Sequence, residues 1–153
     1  MKAWKLILAA LLLLALLIGW QGPKWLQAWN AERAEEAQLF IKQGSEYGSQ
    51  HNQQACLDRA LTKLTQQDCD GNTCTINQGL FLKACLAVAE PSATFCEGVP
   101  PYRLKPLEDE SEWARFFCSD REISHDGCRF LLRRQQYFCS DGVAADAASA
   151  EGK

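Results

Sequence analysis

Eight cysteines are the feature that most constrains how this chain folds. All of them lie between residues 56 and 139, at Cys56, Cys69, Cys74, Cys85, Cys96, Cys118, Cys128 and Cys139. An even number of cysteines within a short segment is typical of a disulfide framework in an oxidising compartment. We therefore expect this part of the chain to lie outside the cytoplasm.

The spacing of the cysteines predicts helical hairpins. Cys74 and Cys85 are eleven residues apart, and so are Cys128 and Cys139. On an α-helix, eleven steps return to within about 20° of the starting direction, so each pair lies on one face and about 16 Å apart. A disulfide needs Cα atoms within about 7 Å. Each of these cysteines must therefore bond to a neighbouring segment.

Nested pairing about the turn of an antiparallel hairpin predicts the partners. In the first half, Cys69–Cys74 flanks the turn and Cys56–Cys85 closes the base. In the second half, Cys118–Cys128 flanks the turn, which leaves Cys96–Cys139. Because eight cysteines allow 105 connectivities, this scheme depends on the hairpin geometry.

Hydrophobic periodicity predicts helices in the first half. Leu57, Ala60, Leu61 and Leu64 recur at the spacing of a one-faced amphipathic helix. Thr75 and Gln78 have the spacing of a capping box, which predicts that the next helix begins there and ends before Pro91. Between residues 80 and 89 only Lys83 is charged. This helix is then either the central core element or a face that a partner covers.

The second half follows the same pattern after an irregular connection. Residues 91–112 hold four of the five prolines, so we expect a loop attached through Cys96. One face of the next predicted helix carries Trp113, Phe116 and Phe117, with Trp113 in the core. Asp126 is the predicted N-cap of the last helix. The stripe of that helix consists of Cys128, Leu131, Leu132, Gln135, Phe138 and Cys139. The predicted fold is all-α, with about two disulfide-bonded antiparallel hairpins.

The N-terminus carries a basic start and then fifteen uncharged residues, Leu6–Trp20. Such a run is typical of a secretory signal or of a membrane anchor. No good A-x-A-like cleavage site follows, which favours the anchor, although its reach of about 22 Å is short for a hydrocarbon core of about 30 Å. Trp4 and Trp20 suit the two membrane interfaces. Cleavage, which would give a secreted or periplasmic protein, stays open as the alternative.

Charge asymmetry predicts the topology. Lys2 and Lys5 precede the apolar run, so the positive-inside rule keeps the N-terminus in the cytoplasm and places the body across the membrane. With the disulfides, this favours a single-pass inner-membrane protein facing the periplasm. The predicted organisation is an anchor (1–22), a helical stalk (23–43) with Pro23 in its first turn and a break at "GSEYGSQHN", a disulfide-rich helical domain (44–140) and a disordered tail (141–153).

The stretch "DCDGNTC", residues 68–74, resembles several kinds of site but satisfies the requirements of none. Its glycine is misplaced for an EF-hand loop, C-x4-C is wrong for a zinc knuckle, and a thioredoxin-like motif needs C-x-x-C. We interpret it as a bridged turn between helices. No metal and no cofactor are expected.

Catalysis is the less favoured hypothesis. His51 and His125 are the only histidines, and "SHD" at 124–126 is a poor indication of a triad because triad members rarely adjoin in sequence. An even cysteine count argues against a free thiol. The alternative function is therefore a small extracytoplasmic enzyme, or a thiol-redox carrier, that uses His125 and Asp126 or a labile cysteine pair.

The favoured hypothesis is a non-catalytic, membrane-anchored periplasmic interaction protein. It would be an accessory subunit of an envelope complex, or an inhibitor or immunity protein against a toxic enzyme. Residues 44–143 carry a net charge of −4, which argues against nucleic acid. Candidate partner contacts are an acidic run, a basic face and two stalk tryptophans: Glu108, Asp109, Glu110 and Glu112; Arg129, Arg133 and Arg134; Trp25 and Trp29. The simpler interpretation is a solvated helix start partly paired with the basic face.

Overall fold

The computed structural model describes residues 2–66, 69 and 71–140. The helices in this part of the chain are α1 (Lys2–Gly48), α2 (Gln53–Leu64), α3 (Gly71–Val88), α4 (Glu108–Asp120) and α5 (Gly127–Cys139). The described ranges contain no strand, so the all-α prediction is confirmed. The tail predicted at 141–153 lies outside the described residues. The chain divides into two compact units, Met1–Glu36 and Ala37–Lys153.

The first unit is the N-terminal part of α1. By length and composition, α1 is the helix in the described part of the chain that is long and apolar enough to cross a membrane. Apolar side chains along this part of the helix are exposed, for example those of Ile7, Leu11, Leu14 and Leu17.

The sequence predicted Pro23 in the first turn of a separate stalk helix. In the structure it lies inside the uninterrupted helix α1. Proline has no N–H, so the carbonyl of Gly19 loses its helical partner. Apolar membrane helices tolerate such a residue more readily than soluble ones.

The end of α1 belongs to the second unit, and here the predicted break was placed too early. The helix passes through Gly44 and ends at Gly48. A Cβ atom added at Gly44 would overlap the carbonyl oxygen of Phe81, and one at Gly48 would overlap that of Cys85. These glycines therefore allow α1 to pack closely against α3, which is why they do not interrupt it.

Helices α2 and α3 form the first antiparallel hairpin. The Cys56–Cys85 bridge closes its base with a Cα–Cα distance of 5.9 Å, and Cys69–Cys74 closes its turn with one of 5.3 Å. Both are pairs that the nested scheme predicts. Asn52 caps α2 by accepting a hydrogen bond of 2.9 Å from the amide of Ala55. The buried side chains between the helices include Leu57, Ala60, Leu61, Leu64, Phe81, Leu82 and Leu86.

Helix α3 starts earlier than its sequence suggested. It begins at Gly71, whose φ of +72° suits glycine, so the capping box predicted at Thr75 and Gln78 is wrong. The hydroxyl of Thr75 lies 3.5 Å from the carbonyl of Gly71 in the first turn. Because α3 contacts both α2 and α5, its apolar segment is the central core element and not a bare face.

Helices α4 and α5 form the second hairpin. Cys118–Cys128 joins them at the turn with a Cα–Cα distance of 6.1 Å, and Cys96–Cys139 attaches the preceding loop with one of 5.5 Å. Both match the predicted pairs. The loop contributes Phe95, which is 1% exposed and whose carbonyl accepts a 2.7 Å hydrogen bond from Gln135. Four disulfides in one helical domain indicate an oxidising compartment.

Candidate interaction surface

The outer face of α4 combines exposed aromatic and acidic side chains. We call this face the α4 patch; it consists of Asp109, Glu112, Trp113, Phe116, Phe117 and Asp120. The spacing of these residues places them on one side of the helix. Phe116 is 69% exposed, while Trp113 and Phe117 are partly buried and pack against the core.

The aromatic part of the patch is ordered by ring contacts. The centroids of Trp113 and Phe117 are 6.1 Å apart, and the guanidinium of Arg121 lies 3.8 Å from the Phe117 ring centroid. A shallow depression of about 570 Å³ lies over this part of α4. The α4 patch thus offers an apolar centre with carboxylates around it.

The fold turns this face outward because the opposite face of α4 is occupied. Glu110, Ala114 and Cys118 follow one another at i, i+4 and i+8, and all three are buried. The Cys118–Cys128 bridge attaches this buried face to α5. Because this side of α4 is held against the core, side chains on the other side of the helix, such as Glu112 and Phe116, face solvent.

Glu110 is the member of the acidic run that the fold uses internally. Its side chain is 3% exposed and lies 2.8 Å from Nε of Arg103. Its other carboxylate oxygen accepts a hydrogen bond of 3.0 Å from the amide of Leu107 at the start of α4. The acidic run therefore divides, with Glu110 inward and Glu108, Asp109 and Glu112 exposed.

The arginines of the predicted basic face all make contacts within the domain. Arg129 pairs with Asp126 at 2.9 Å, and Arg133 donates a hydrogen bond of 2.6 Å to the carbonyl of Arg103. Arg134 lies 5.1 Å from the ring centroid of Phe130. The buried Glu110 forms its ion pair with Arg103 and not with the basic face. The spacing of residues in the sequence does not identify this pair.

The stalk tryptophans lie in the first unit. Trp25 is 70% exposed and Trp29 is 46% exposed, and the guanidinium of Arg33 lies 5.6 Å from the Trp29 ring centroid. Both therefore present indole surface to their surroundings.

His125 has a local structural task at the start of α5. Its Nδ1 accepts a hydrogen bond of 2.9 Å from the amide of Gly127, so the neutral ring carries its proton on Nε2. Asp126, which the sequence suggested as the cap, makes no side-chain capping bond, because its backbone is already helical. The imidazole thus satisfies one of the amides left unpaired at the start of a helix.

The remaining residues with reactive side chains are accounted for individually. The eight cysteines are all engaged in disulfides. Among residues 2–66, 69 and 71–140, no three His, Cys, Asp or Glu side chains come together as a metal-binding group. Comparison of the chain with protein-family models, with curated proteins and with solved structures gives no match.

Proposed function

We propose that this chain is a membrane-anchored, extracytoplasmic binding protein without catalytic activity. The apolar N-terminal helix and the four disulfides support a tethered position in an oxidising compartment. The α4 patch supports binding, and it is the observation that carries the proposal.

The continuity of α1 supports an anchor of sufficient length. Because the helix passes Trp20 without a break, the uncharged stretch extends from Leu6 to Pro23, which is eighteen residues. At about 1.5 Å each, these residues reach about 27 Å, close to a hydrocarbon core of about 30 Å. With Lys2 and Lys5 on the cytoplasmic side, the body faces the periplasm of a cell with two membranes.

The α4 patch is suited to a partner that offers an apolar pocket with a basic rim. Aromatic side chains that lie together inside a polar rim are typical of protein interfaces, whereas single exposed apolar residues are common everywhere. Full burial of the Phe116 ring would contribute about 1.5–3 kcal/mol to binding. The three exposed carboxylates on the same face, Asp109, Glu112 and Asp120, provide the charge that the basic rim would meet.

Two roles follow from such a surface on a tethered scaffold. One is an accessory subunit of an envelope complex. The other is an inhibitor or immunity protein whose acidic patch enters the basic cleft of a toxic enzyme. Both require one stoichiometric protein partner, and the identity of that partner separates them.

The test is an affinity pull-down of the full-length chain from membranes in mild detergent, with quantitative mass spectrometry. The wild type is compared with E108K/D109K/E112K and with F116A, which leave the buried Glu110 in place. The control, E90K/E97K, reverses exposed charges outside α4. We expect one stoichiometric partner that both α4 variants lose and the control retains. A chain recovered alone, or a partner retained by the α4 variants, would contradict the proposal.

The topology has its own test. Alkaline phosphatase, which is active only after export, is fused after Lys153, and intact mass spectrometry establishes whether residues 1–22 are retained. We expect an active fusion on a full-length, membrane-bound chain. An inactive fusion would place the body in the cytoplasm, and a shortened soluble chain would support the cleaved-signal alternative.

A further inference from the structure

A second concave surface lies in the Ala37–Lys153 unit, between the end of α1, α2 and α3. The cavity has a volume of about 300 Å³ and opens to solvent. Small-molecule sites begin at about this volume. Its lining shares no residue with the α4 patch, so any ligand there would be additional to the partner proposed above.

Aromatic rings form one wall of this cleft. Tyr47 and His51 stack in parallel, with ring centroids 3.8 Å apart and an interplanar angle of 7°. Phe81 approaches the Tyr47 ring to 5.9 Å, and Phe40 completes the apolar lining. A flat apolar group is the shape that such a wall accommodates best.

Two cations lie beside this wall on α2. Arg59 and Lys63 are one helical turn apart and therefore share a side of the helix. The guanidinium of Arg59 lies 5.0 Å from the Tyr47 ring centroid. Glu46 also lines the cleft, and its carboxylate lies 3.8 Å from the ammonium of Lys42. The cleft is thus lined by two cations and one carboxylate, on a chain whose net charge is −3.

Gln78 adds a polar group to the cleft. This α3 side chain is only 7% exposed and lines the cleft. Its side-chain amide can therefore form hydrogen bonds with a ligand that enters.

We propose that this cleft binds a carboxylate that carries a flat apolar body. The carboxylate lies against Arg59 and Lys63, and the body packs against Phe40 and the edge of the stacked Tyr47–His51 rings. The Gln78 amide donates to a ligand oxygen. A free aromatic acid and the C-terminus of a peptide that ends in an aromatic residue present this same chemistry.

The test is a chemical-shift titration by NMR on the full chain in detergent micelles. The probes are 3-phenylpropionate, its amide and 3-phenylpropylamine, which differ in the charged group and keep the phenyl body. For the acid we expect saturable chemical-shift changes at residues that line the cleft, with a dissociation constant in the micromolar to millimolar range. The amide and the amine are expected to bind at least about tenfold more weakly, because they lose a charge-assisted hydrogen bond.

Matched variants connect the binding to these residues. R59Q is expected to weaken binding of the acid by about tenfold or more, and Q78L is expected to weaken it less. The control is R121Q, which removes an arginine that lies over Phe117 in the α4 patch. Equal binding of acid and amine, no saturable binding of the acid, or an unchanged affinity in R59Q would overturn the proposal.

A peptide arm distinguishes the two sources of the carboxylate. Acetyl-Gly-Gly-Phe is titrated with a free and with an amidated C-terminus. Tighter binding of the free peptide than of 3-phenylpropionate indicates a chain terminus, whereas weaker binding indicates a free acid. Because the cleft and the α4 patch have no residue in common, R59Q leaves partner capture unchanged if both proposals hold.

Discussion

The two hairpins share one plan but are stabilised in different ways. Each consists of two antiparallel helices with one disulfide near the turn and one further away. The α2–α3 hairpin packs leucine, phenylalanine and alanine side chains, buries the amides of Asn77 and Gln78, and meets two glycines of α1 at backbone distance. The α4–α5 hairpin buries a carboxylate, Glu110, together with Gln135 and Gln136.

This difference separates two tasks within one small domain. The closely packed first hairpin tolerates little change, because interiors are packed like organic crystals. The second hairpin depends on its loop, its disulfides and the contacts of Arg103. It leaves much of the outer face of α4 exposed, including Phe116 and the carboxylates beside it. The first hairpin therefore acts as the base, and the second displays the α4 patch.

The largest expected change in the free energy of unfolding comes from the disulfides of the first hairpin, and its size differs between the two. Removal of Cys56–Cys85 by C56A/C85A is expected to lower the free energy of unfolding by about 3–4 kcal/mol, because the bridge closes a loop of 29 residues in sequence separation. Removal of Cys69–Cys74, with a separation of 5, should cost only about 2 kcal/mol. Urea unfolding of the full chain in micelles, followed by circular dichroism, measures both. Equal losses would mean that loop closure does not govern stability here.

The glycine contact is the next largest effect. G48A is expected to lower the free energy of unfolding by about 2–3 kcal/mol, because the added Cβ meets a backbone carbonyl that cannot move aside alone. The matched control is G19A in the same helix, where an added Cβ finds no atom within 4 Å. If both variants unfold at the same urea concentration, α1 does not pack against α3 as described.

Glu110 tests the polar character of the second hairpin. E110Q removes the charge that Arg103 and the Leu107 amide both use, and we expect a loss of about 1.5 kcal/mol in the free energy of unfolding. E112Q, two residues away and exposed, should change stability by less than about 0.5 kcal/mol. Thermal unfolding followed by circular dichroism ranks the two variants. The reverse order would show that Glu112, and not Glu110, is the internal carboxylate.

The smallest expected effect concerns Gln136, which is fully buried and whose Nε2 has no partner in the described part of the chain. Its Oε1 accepts a long hydrogen bond of 3.5 Å from Arg133, which keeps its shorter bond to the Arg103 carbonyl. Replacement by an apolar group of similar shape removes that weak bond together with the unmet one, so the net change is small. We therefore expect Q136L to change the free energy of unfolding by no more than about 0.5 kcal/mol. A loss above about 2 kcal/mol would indicate that this amide has a partner that stabilises the second hairpin.

Sequence alone predicted the features that depend on local periodicity. The helices around Leu57–Leu64 and Cys128–Cys139 follow from apolar spacing. Three disulfide pairs follow from hairpin symmetry, and Cys96–Cys139 follows by elimination. Features that depend on which helices cross were missed. Gly44 and Gly48 appear as a break in sequence because glycine is a poor helix former, and only contact with α3 shows why they are helical.

The candidate site was predicted only in part for the same reason. The acidic run marks α4 as exposed, but the inward position of Glu110 depends on Arg103, which lies seven residues away in an irregular loop. The capping role of His125 depends on a hydrogen bond that its Nδ1 accepts from the amide of Gly127. The periodicity of the sequence does not predict such a bond. Phe95, in the same loop, is buried by tertiary packing alone.

The central claim is that the α4 patch contacts a protein partner, and site-specific photo-cross-linking in intact membranes tests it most directly. A photoreactive amino acid replaces Phe116, which is 69% exposed, or in the control Ile76, an α3 residue that is 55% exposed. The proposal predicts one discrete cross-linked protein from position 116 and none from position 76. No adduct at 116, or the same adducts from both positions, would contradict it.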